Sequence, residues 1–325
     1  MSISIIGGAG FVGTRLSNDF LKDKIKHKIY DINLKSDSHI YADVTDESSL
    51  DILRESSILI NLAAVHRDDI RPLSKYDEVN VGGAKKICNI ARKYNINKII
   101  FTSSVAIYGF APKNTNENGA PNYFNDYGRT KYLAEQEYIK WFNEDKVNRT
   151  LVIIRPTVIF GEGNRGNVYN LLKQIASKKF AMFGKGINIK SMAYVENVSS
   201  FIRFTMSFPQ GIHIFNYVDK PDYNMNKLVS ETRNILFRKK NVGLRFPAFL
   251  GICIGLCADT FAKLTFKKLP ISSIRVKKFL SDSQFDTSAF ETGFIPPVSL
   301  KKGLSQTLNY EFIEDNTHKE TFETE

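Results

Sequence analysis

The sequence predicts an α/β fold: a doubly wound parallel sheet followed by a smaller C-terminal lobe. Three observations carry that expectation. Short apolar runs alternate with helix-like segments through the first half of the chain. A glycine-rich turn joins the first such run to its helix. Polar residues collect where the apolar runs end, the edge at which ligands of open parallel sheets sit.

Ile3 to Ile6 is short and apolar enough for a buried strand, and Phe11, Val12, Leu16 and Phe20 recur at helical intervals. Between them Gly7, Gly10 and Gly13 have the spacing of a dinucleotide-binding turn. Glycine is needed there because the turn is tight, the backbone must approach a pyrophosphate, and the helix packs closely on the strand. Free N–H groups and the positive end of the helix dipole then face the phosphates. A second strand, Lys28 to Tyr30, ends at Asp31, roughly twenty residues on, where a carboxylate can hold a ribose 2′-hydroxyl. The same charge repels a 2′-phosphate, so NAD is expected over NADP. Arg15 is the contrary signal, read here as a solvated residue or a phosphate neighbour. Strand, turn, helix and acidic terminus together describe a Rossmann-like unit.

The alternation continues with a strand at Ile40 to Val44, a helix-like Glu47 to Arg54 and a strand from Ile58 to Ala64. Asp43 suits an adenine amino group or a turn cap, and the two readings stand level. Ala63 and Ala64 are small enough for a cofactor to pass over the fourth strand. His66, Arg67, Asp68 and Asp69 follow in a loop on the ligand side. A helix over Asn80 to Tyr94 leads to a buried strand, Lys98 to Ser104, that ends in hydroxyls. Tyr127 and Lys131 lie on one face of the next helix, at the i, i+4 separation. Such a pair is common by chance. Behind a glycine loop, an acidic second strand and a Ser-ended strand, it becomes the candidate catalytic pair.

The composition suits a globular protein: 325 residues, 42% hydrophobic and 24% charged, can bury a sizeable core. Cys88, Cys253 and Cys257 form no disulfide framework or metal-ligand pattern, which suits a reducing compartment and predicts no metal. Met1 leads straight into the first strand without a secretion signal, so a cytoplasmic location is expected. No apolar stretch reaches the ~20 residues of a spanning helix. The net charge of +11 implies an anionic partner without naming it.

The order GxxGxxG, Asp31, Asp43, NLAA, TSSVAIYG, YGRTK and Arg155-Pro156 resembles the extended short-chain dehydrogenase/reductase family, which acts mainly on nucleotide-linked sugars. The resemblance runs to the terminal FDTSAFETGFIPPVSLKKGL. More narrowly, AAVHRDDI, IIRPTVIFGEGNRGNVYNLLKQIA, KSMAYVENV and SSIRVKKF resemble members that epimerise C4 of N-acetylglucosamine carried on undecaprenyl diphosphate in O-antigen synthesis. The resemblance implies Tyr127 as general base, Lys131 as its partner and ribose ligand, and Ser104 as the hydroxyl steadying the reacting oxygen. It places NAD against Gly7, Gly10, Phe11, Val12, Gly13, Asp31, Asp43, Val44, Leu62, Ala63, Ala64, Asn80, Tyr127, Lys131 and Pro156. Members that eliminate water or decarboxylate carry acidic residues just after the serine, where this chain has Val105 and Ala106. Members that epimerise C3 and C5 carry a cysteine at the place of Ala106. Hydride chemistry is what remains, and the resemblance implies that it acts at C4.

Residues 1–156 are expected to form the NAD-binding domain, with chain near 194–204 returning to it, and 157–325 mainly the substrate lobe. Candidate substrate contacts are His66, Arg67, Ser104, Asn164, Arg165, Asn167, Lys190 and Arg275, each weighed against a solvated or structural role. The acidic stretch from Glu311 to Glu325 is expected to be a solvated tail. The most unusual segment is Leu244 to Ala258, continuing to Lys268. Nine Lys/Arg between Lys227 and Lys268 oppose only Glu231 and Asp259. Basic flanks around an apolar helix describe an interfacial anchor on an anionic membrane surface, at the inner face of the cell membrane; a buried core helix is the competing reading. A lipid-diphosphate-linked amino sugar is expected as substrate, with a UDP-linked one as the nearest alternative. A hydroxysteroid-type dehydrogenase and a non-catalytic NAD-binding scaffold are the others. Nucleic acid is not an expected partner, and a homodimer is compatible with the sequence.

Overall fold

The computed structural model describes residues 2–67, 70–265, 273–315 and 320–323. Seven strands form one parallel sheet: β1 (Ile3–Ile6), β2 (His27–Asp31), β3 (His39–Tyr41), β4 (Ile58–Asn61), β5 (Lys98–Thr102), β6 (Thr150–Pro156) and β7 (Gly211–Tyr217). Their order is β7-β6-β5-β4-β1-β2-β3. The order reverses beside β1, between β1 and β4, and that crevice is where a ligand is expected in such sheets.

The strands read as unbroken apolar runs because both faces are covered. Leu59, Ile99, Phe101, Leu151 and Ile153 point into one core with the helices α2 (Gly83–Lys93) and α3 (Asp126–Asn143). Their neighbours Ile58, Ile60, Ile100, Val152 and Ile154 point into the other, with α1 (Phe11–Lys22) and Val198, Phe201 and Ile202 of a later helix. Side chains alternate across the sheet, so a buried parallel strand has no polar side to reveal its period.

The strands expected to reach Ala64 and Ser104 stop at Asn61 and Thr102, and three further elements differ from the sequence reading. The strand expected to reach Val44 stops at Tyr41, because Asp43 Oδ1 accepts hydrogen bonds from the Thr45 amide and hydroxyl, both at 2.8 Å, and turns the chain. The segment at Glu47 to Arg54 is a 3₁₀ helix over Ser49–Glu55. The helix expected from Asn80 begins at Ser74 and passes through a wider π stretch, Asp77–Gly82, which carries Asn80 into the interior.

After β6 the chain builds a third core from α4 (Asn167–Ala176), α6 (Met225–Phe237) and α9 (Leu300–Phe312), and Phe11 and Phe322 join it. Between them α5 (Val195–Thr205) packs on α1 and the sheet, and β7 extends the sheet edge. The apolar segment forms α7 (Ala248–Thr265), followed by the short basic α8 (Ser273–Leu280). No helix among the described residues is long and apolar enough to cross a membrane.

The packing of α7 is inverted. Its small residues Gly251 and Gly255 are buried and Ala248, Ala258 and Ala262 half-buried, while Phe249 is 61% and Leu256 54% exposed. A Cβ on Gly251 would stand 3.0 Å from the Phe183 ring, so the glycine lets the helix sit close to the lobe. The large apolar side chains are left facing outward.

Only part of the acidic terminal stretch departs from the expected solvated tail: Glu314, Asp315, Glu320 and Glu323 are exposed, whereas Glu311 and Phe322 are not. Glu311 is only 2% exposed at its side chain and holds Arg165 at 2.9 Å. Phe322 is buried, its ring 5.5 Å from that of Phe11, and it exchanges backbone hydrogen bonds with Gly163 and Arg165. Attraction to fixed partners, invisible in a charge count, overrides solvation.

Candidate active site

The site begins at the turn after β1. Gly7 has φ of +76°, and a Cβ there would come within 2.5 Å of the Ala63 nitrogen. Gly13 is held as tightly, since its Cβ would meet Gly8 at 2.5 Å. The turn therefore lies flat between β4 and α1. No side chain caps α1 and no acidic residue occupies its first turn, so its N-terminal amides and dipole remain for an anion. Asp31 is buried at the end of β2, accepting from the Ala9 amide at 3.0 Å and the Asn33 amide at 2.9 Å. Each carboxylate oxygen has a further lone pair for a ribose hydroxyl. Ala63 and Ala64 remain half-buried above β4, and Val44 and Pro156 are buried nearby in the sheet layer. This cradle fits a dinucleotide.

Two elements bring the candidate catalytic side chains together. Beyond β5, Ser104 starts a 3₁₀ turn and its hydroxyl accepts from the Ala106 amide at 3.1 Å. Asn125 caps α3 by accepting from the Gly128 amide at 2.9 Å, which sets Tyr127 in the first turn. A Cβ on Gly128 would lie 2.4 Å from the Ala106 carbonyl, so α3 can rest directly on the Ser104 turn only with glycine there. The Ser104 hydroxyl lies close enough to the Tyr127 phenol to lower its pKa. One turn on, the Lys131 ammonium donates to the Thr102 carbonyl at 2.7 Å and stands 6.0 Å from the Tyr127 ring centroid.

Burial acts on both members of this pair. It pushes the Tyr127 phenol up to about 12, against the lowering effect of the Ser104 hydroxyl. It drives the Lys131 ammonium down to about 7, with Glu135 pulling the other way. Both neutral forms are favoured until something changes the local field.

Other expected contacts have internal partners. Asn80 accepts from the Val65 amide at 2.8 Å and donates to the Val65 carbonyl and the Thr130 hydroxyl. It ties the loop after β4 to α3. Asn164 accepts from the Gly166 amide and donates to the Ile159 carbonyl, shaping the loop that ends at Asn167, the first residue of α4. The Lys190 ammonium donates to the Lys278 and Ser281 carbonyls at 2.7 and 2.6 Å, and burial lowers its pKa to about 8. His66 is exposed, its Nδ1 3.4 Å from the Ala64 carbonyl, and the Arg67 carbonyl accepts from the Tyr76 hydroxyl. Asp68, Asp69, Lys267, Lys268 and the side chain of Arg275 lie outside the described residues.

One network under the site escaped the sequence reading. Arg155 is buried and makes a two-pronged pair with Glu135 at 2.9 and 2.7 Å, and it also donates to the Tyr108 hydroxyl at 2.7 Å. It locks β6 to α3 and to the turn after Ser104. The signal in the sequence was Glu135 itself, four residues beyond Lys131 on the same helix.

Against known proteins, the model of the NAD dependent epimerase/dehydratase family matches residues 3–217. The N-acetyl-alpha-D-glucosaminyl-diphospho-ditrans,octacis-undecaprenol 4-epimerase of Escherichia coli O157:H7 is 44% identical over 337 residues, spanning 100% of this chain and 99% of that protein. The UDP-glucose 4-epimerase of Vibrio cholerae is 27% identical across 94% of both chains. Among solved structures, the UDP-glucose 4-epimerase of Thermus thermophilus in complex with NAD shares the fold, with a TM-score of 0.71 and 17% identity over 95% of this chain and 98% of that one.

Proposed function

Since the chain belongs to the NAD-dependent epimerase/dehydratase family, we propose that it interconverts N-acetylglucosamine and N-acetylgalactosamine at C4 while the sugar is linked to undecaprenyl diphosphate. The observation that carries this is the 44% identity to the Escherichia coli enzyme along the whole of both chains. The cofactor is NAD, which the turn after β1 and the buried Asp31 fit.

Tyr127 is the proton acceptor and donor at O4 of the sugar. Ser104, beside it, shares that proton and holds the reacting oxygen. When bound, NAD would take up and return the C4 hydride and add positive charge to the site. Lys131, fixed by the Thr102 carbonyl, adds a second charge when protonated, and the two together favour the phenolate. Removal of the O4 proton with the C4 hydride leaves a 4-ketosugar. Once the sugar has turned over and the ketone is reduced again, Tyr127 gives the proton back to O4. No carboxylate follows Ser104 to open an elimination route, because Val105 and Ala106 stand there.

The exposed apolar side chains of α7 and the surrounding basic residues support a peripheral position at an anionic membrane surface, on the inner face, in O-antigen synthesis. The test is to supply purified protein with undecaprenyl-diphospho-N-acetylglucosamine and UDP-N-acetylglucosamine in parallel and to identify the sugar released by mild acid. N-acetylgalactosamine from the lipid-linked substrate is the expected result. Turnover of the UDP-linked sugar alone overturns the assignment.

A further inference from the structure

The loop that delivers Tyr127 carries an exposed aromatic pair that the chemistry at C4 does not use. Phe110 and Phe124 face each other with ring centroids 5.0 Å apart, 43% and 46% exposed. The pair is fixed to the site on both sides. A Cβ on Gly109 would lie 3.7 Å from the Phe124 ring, and one on Gly128 would lie 3.0 Å from Tyr123 Cβ. The catalytic tyrosine is therefore one residue from a backbone position that Tyr123 covers.

Two ammonium groups of α8 lie over these rings. Lys277 Nζ is 5.5 Å from the Phe110 centroid, and Lys278 Nζ is 4.9 Å from that of Phe124. An ammonium over a ring face keeps N–H bonds directed away from the ring, where an anion can meet them. The sequence of α8, Ser273–Leu280, contains no acidic residue. This helix joins the patch to α7: the Ser273 amide donates to Asp259 of α7 at 3.1 Å, and a Cβ on Gly184 would touch both Leu280 and Ala248. The lysines thus meet the paired aromatics from a helix that packs beside α7.

We propose that Phe110 and Phe124, with Lys277 and Lys278, form the subsite for the lipid end of the substrate, the rings taking the first isoprene units and the lysines the diphosphate. The proposal rests on the lipid-linked reading above and assigns it to residues. Charge and shape argue for this occupant. A diphosphate matches the paired ammoniums, and an apolar isoprenoid chain matches the exposed part of the aromatic pair. Anchoring outside the sugar leaves the ring able to turn over between the two hydride transfers.

The test compares two N-acetylglucosamine diphosphate substrates, one esterified to undecaprenol and one to a methyl group, in the same detergent. The reading is the ratio of their kcat/KM values. In the native protein the prenyl ester should be preferred. Phe110→Ala with Phe124→Ala should reduce that ratio about tenfold, a loss of ~1.4 kcal/mol in discrimination, mainly through KM for the prenyl ester. Lys277→Ala with Lys278→Ala should lower kcat/KM for both esters, with an effect that weakens as salt is raised. Phe110→Leu with Phe124→Leu keeps apolar bulk and should restore most of the preference. A native preference that survives the double alanine change overturns the subsite and leaves the lipid-linked reading intact. A native enzyme that ignores the prenyl ester overturns both.

Discussion

Tyr127 and Lys131 sit one turn apart, and burial pushes one pKa up to about 12 and the other down to about 7. The site is built so that the phenolate becomes accessible only when positive charge is placed beside it. Tyr127→Phe removes the proton acceptor and almost no volume. It should reduce kcat by about 10²–10⁴-fold while NAD remains with the protein through gel filtration. Near-native turnover would refute the role. The lysine also has a stability consequence. Its folded pKa lies below the ordinary 10.5, so the unfolded chain binds more protons between about 7 and 10.5, and stability rises with pH across that window. Cofactor-free Lys131→Met protein should show a shallower rise of Tm between pH 7 and 10 than the native chain. An unchanged slope would mean that Lys131 is not desolvated. Asp31→Ala should weaken NAD and narrow its advantage over NADP, measured by titration, since the change removes both an acceptor and a repelling charge. The glycine spacing, Asp31 and the Tyr127/Lys131 pair were legible because each is a local pattern. The partners of Arg165 and Lys190 were not, since Glu311 and the carbonyls of Lys278 and Ser281 reach them only through the folded chain.

At the scale of elements, the sheet was readable from alternating runs, whereas α7 exposed a gap in that reasoning. Its small residues recur at helical spacing from Ala248 to Ala262, which marks the buried face, but an apolar count weights Phe249 and Leu256 more heavily and leaves core and surface undecided. The structure turns those large side chains outward. Phe249→Glu with Leu256→Glu should therefore leave the unfolding transition in place while abolishing co-sedimentation with anionic vesicles. A variant that unfolds would contradict the exposed face. Native protein that stays in the supernatant would remove the membrane role. Where β6 meets α3, the buried Arg155–Glu135 pair predicts the opposite sensitivity. Arg155→Met strands a fully buried carboxylate and should cost ~3–5 kcal/mol in denaturant unfolding, with part of the loss recovered by adding Glu135→Leu.

At the scale of the molecule, part of the segment that looked like a solvated tail forms a clasp, while Glu314, Asp315 and Glu323 stay exposed. Phe322 lies against Phe11 at the start of α1, beside the proposed cofactor turn, Lys35 pairs with Glu320 at 3.1 Å, and Glu311 receives the Gly163 amide at 2.8 Å. Phe322→Ala should raise the dissociation rate of NAD roughly tenfold, corresponding to ~1.4 kcal/mol, as read by displacement with a fluorescent dinucleotide. An unchanged rate would make the clasp purely structural. Its contacts also order events during synthesis. The glycine turn is translated early, but the ring that packs against it is translated some three hundred residues later. A nascent chain can pair its first strands while Phe11 still waits for its neighbour, and contacts so distant in sequence close slowly. The helix start is thus completed only after some three hundred further residues are made, and a ribosome-bound chain arrested before Phe322 would lack this contact with Phe11.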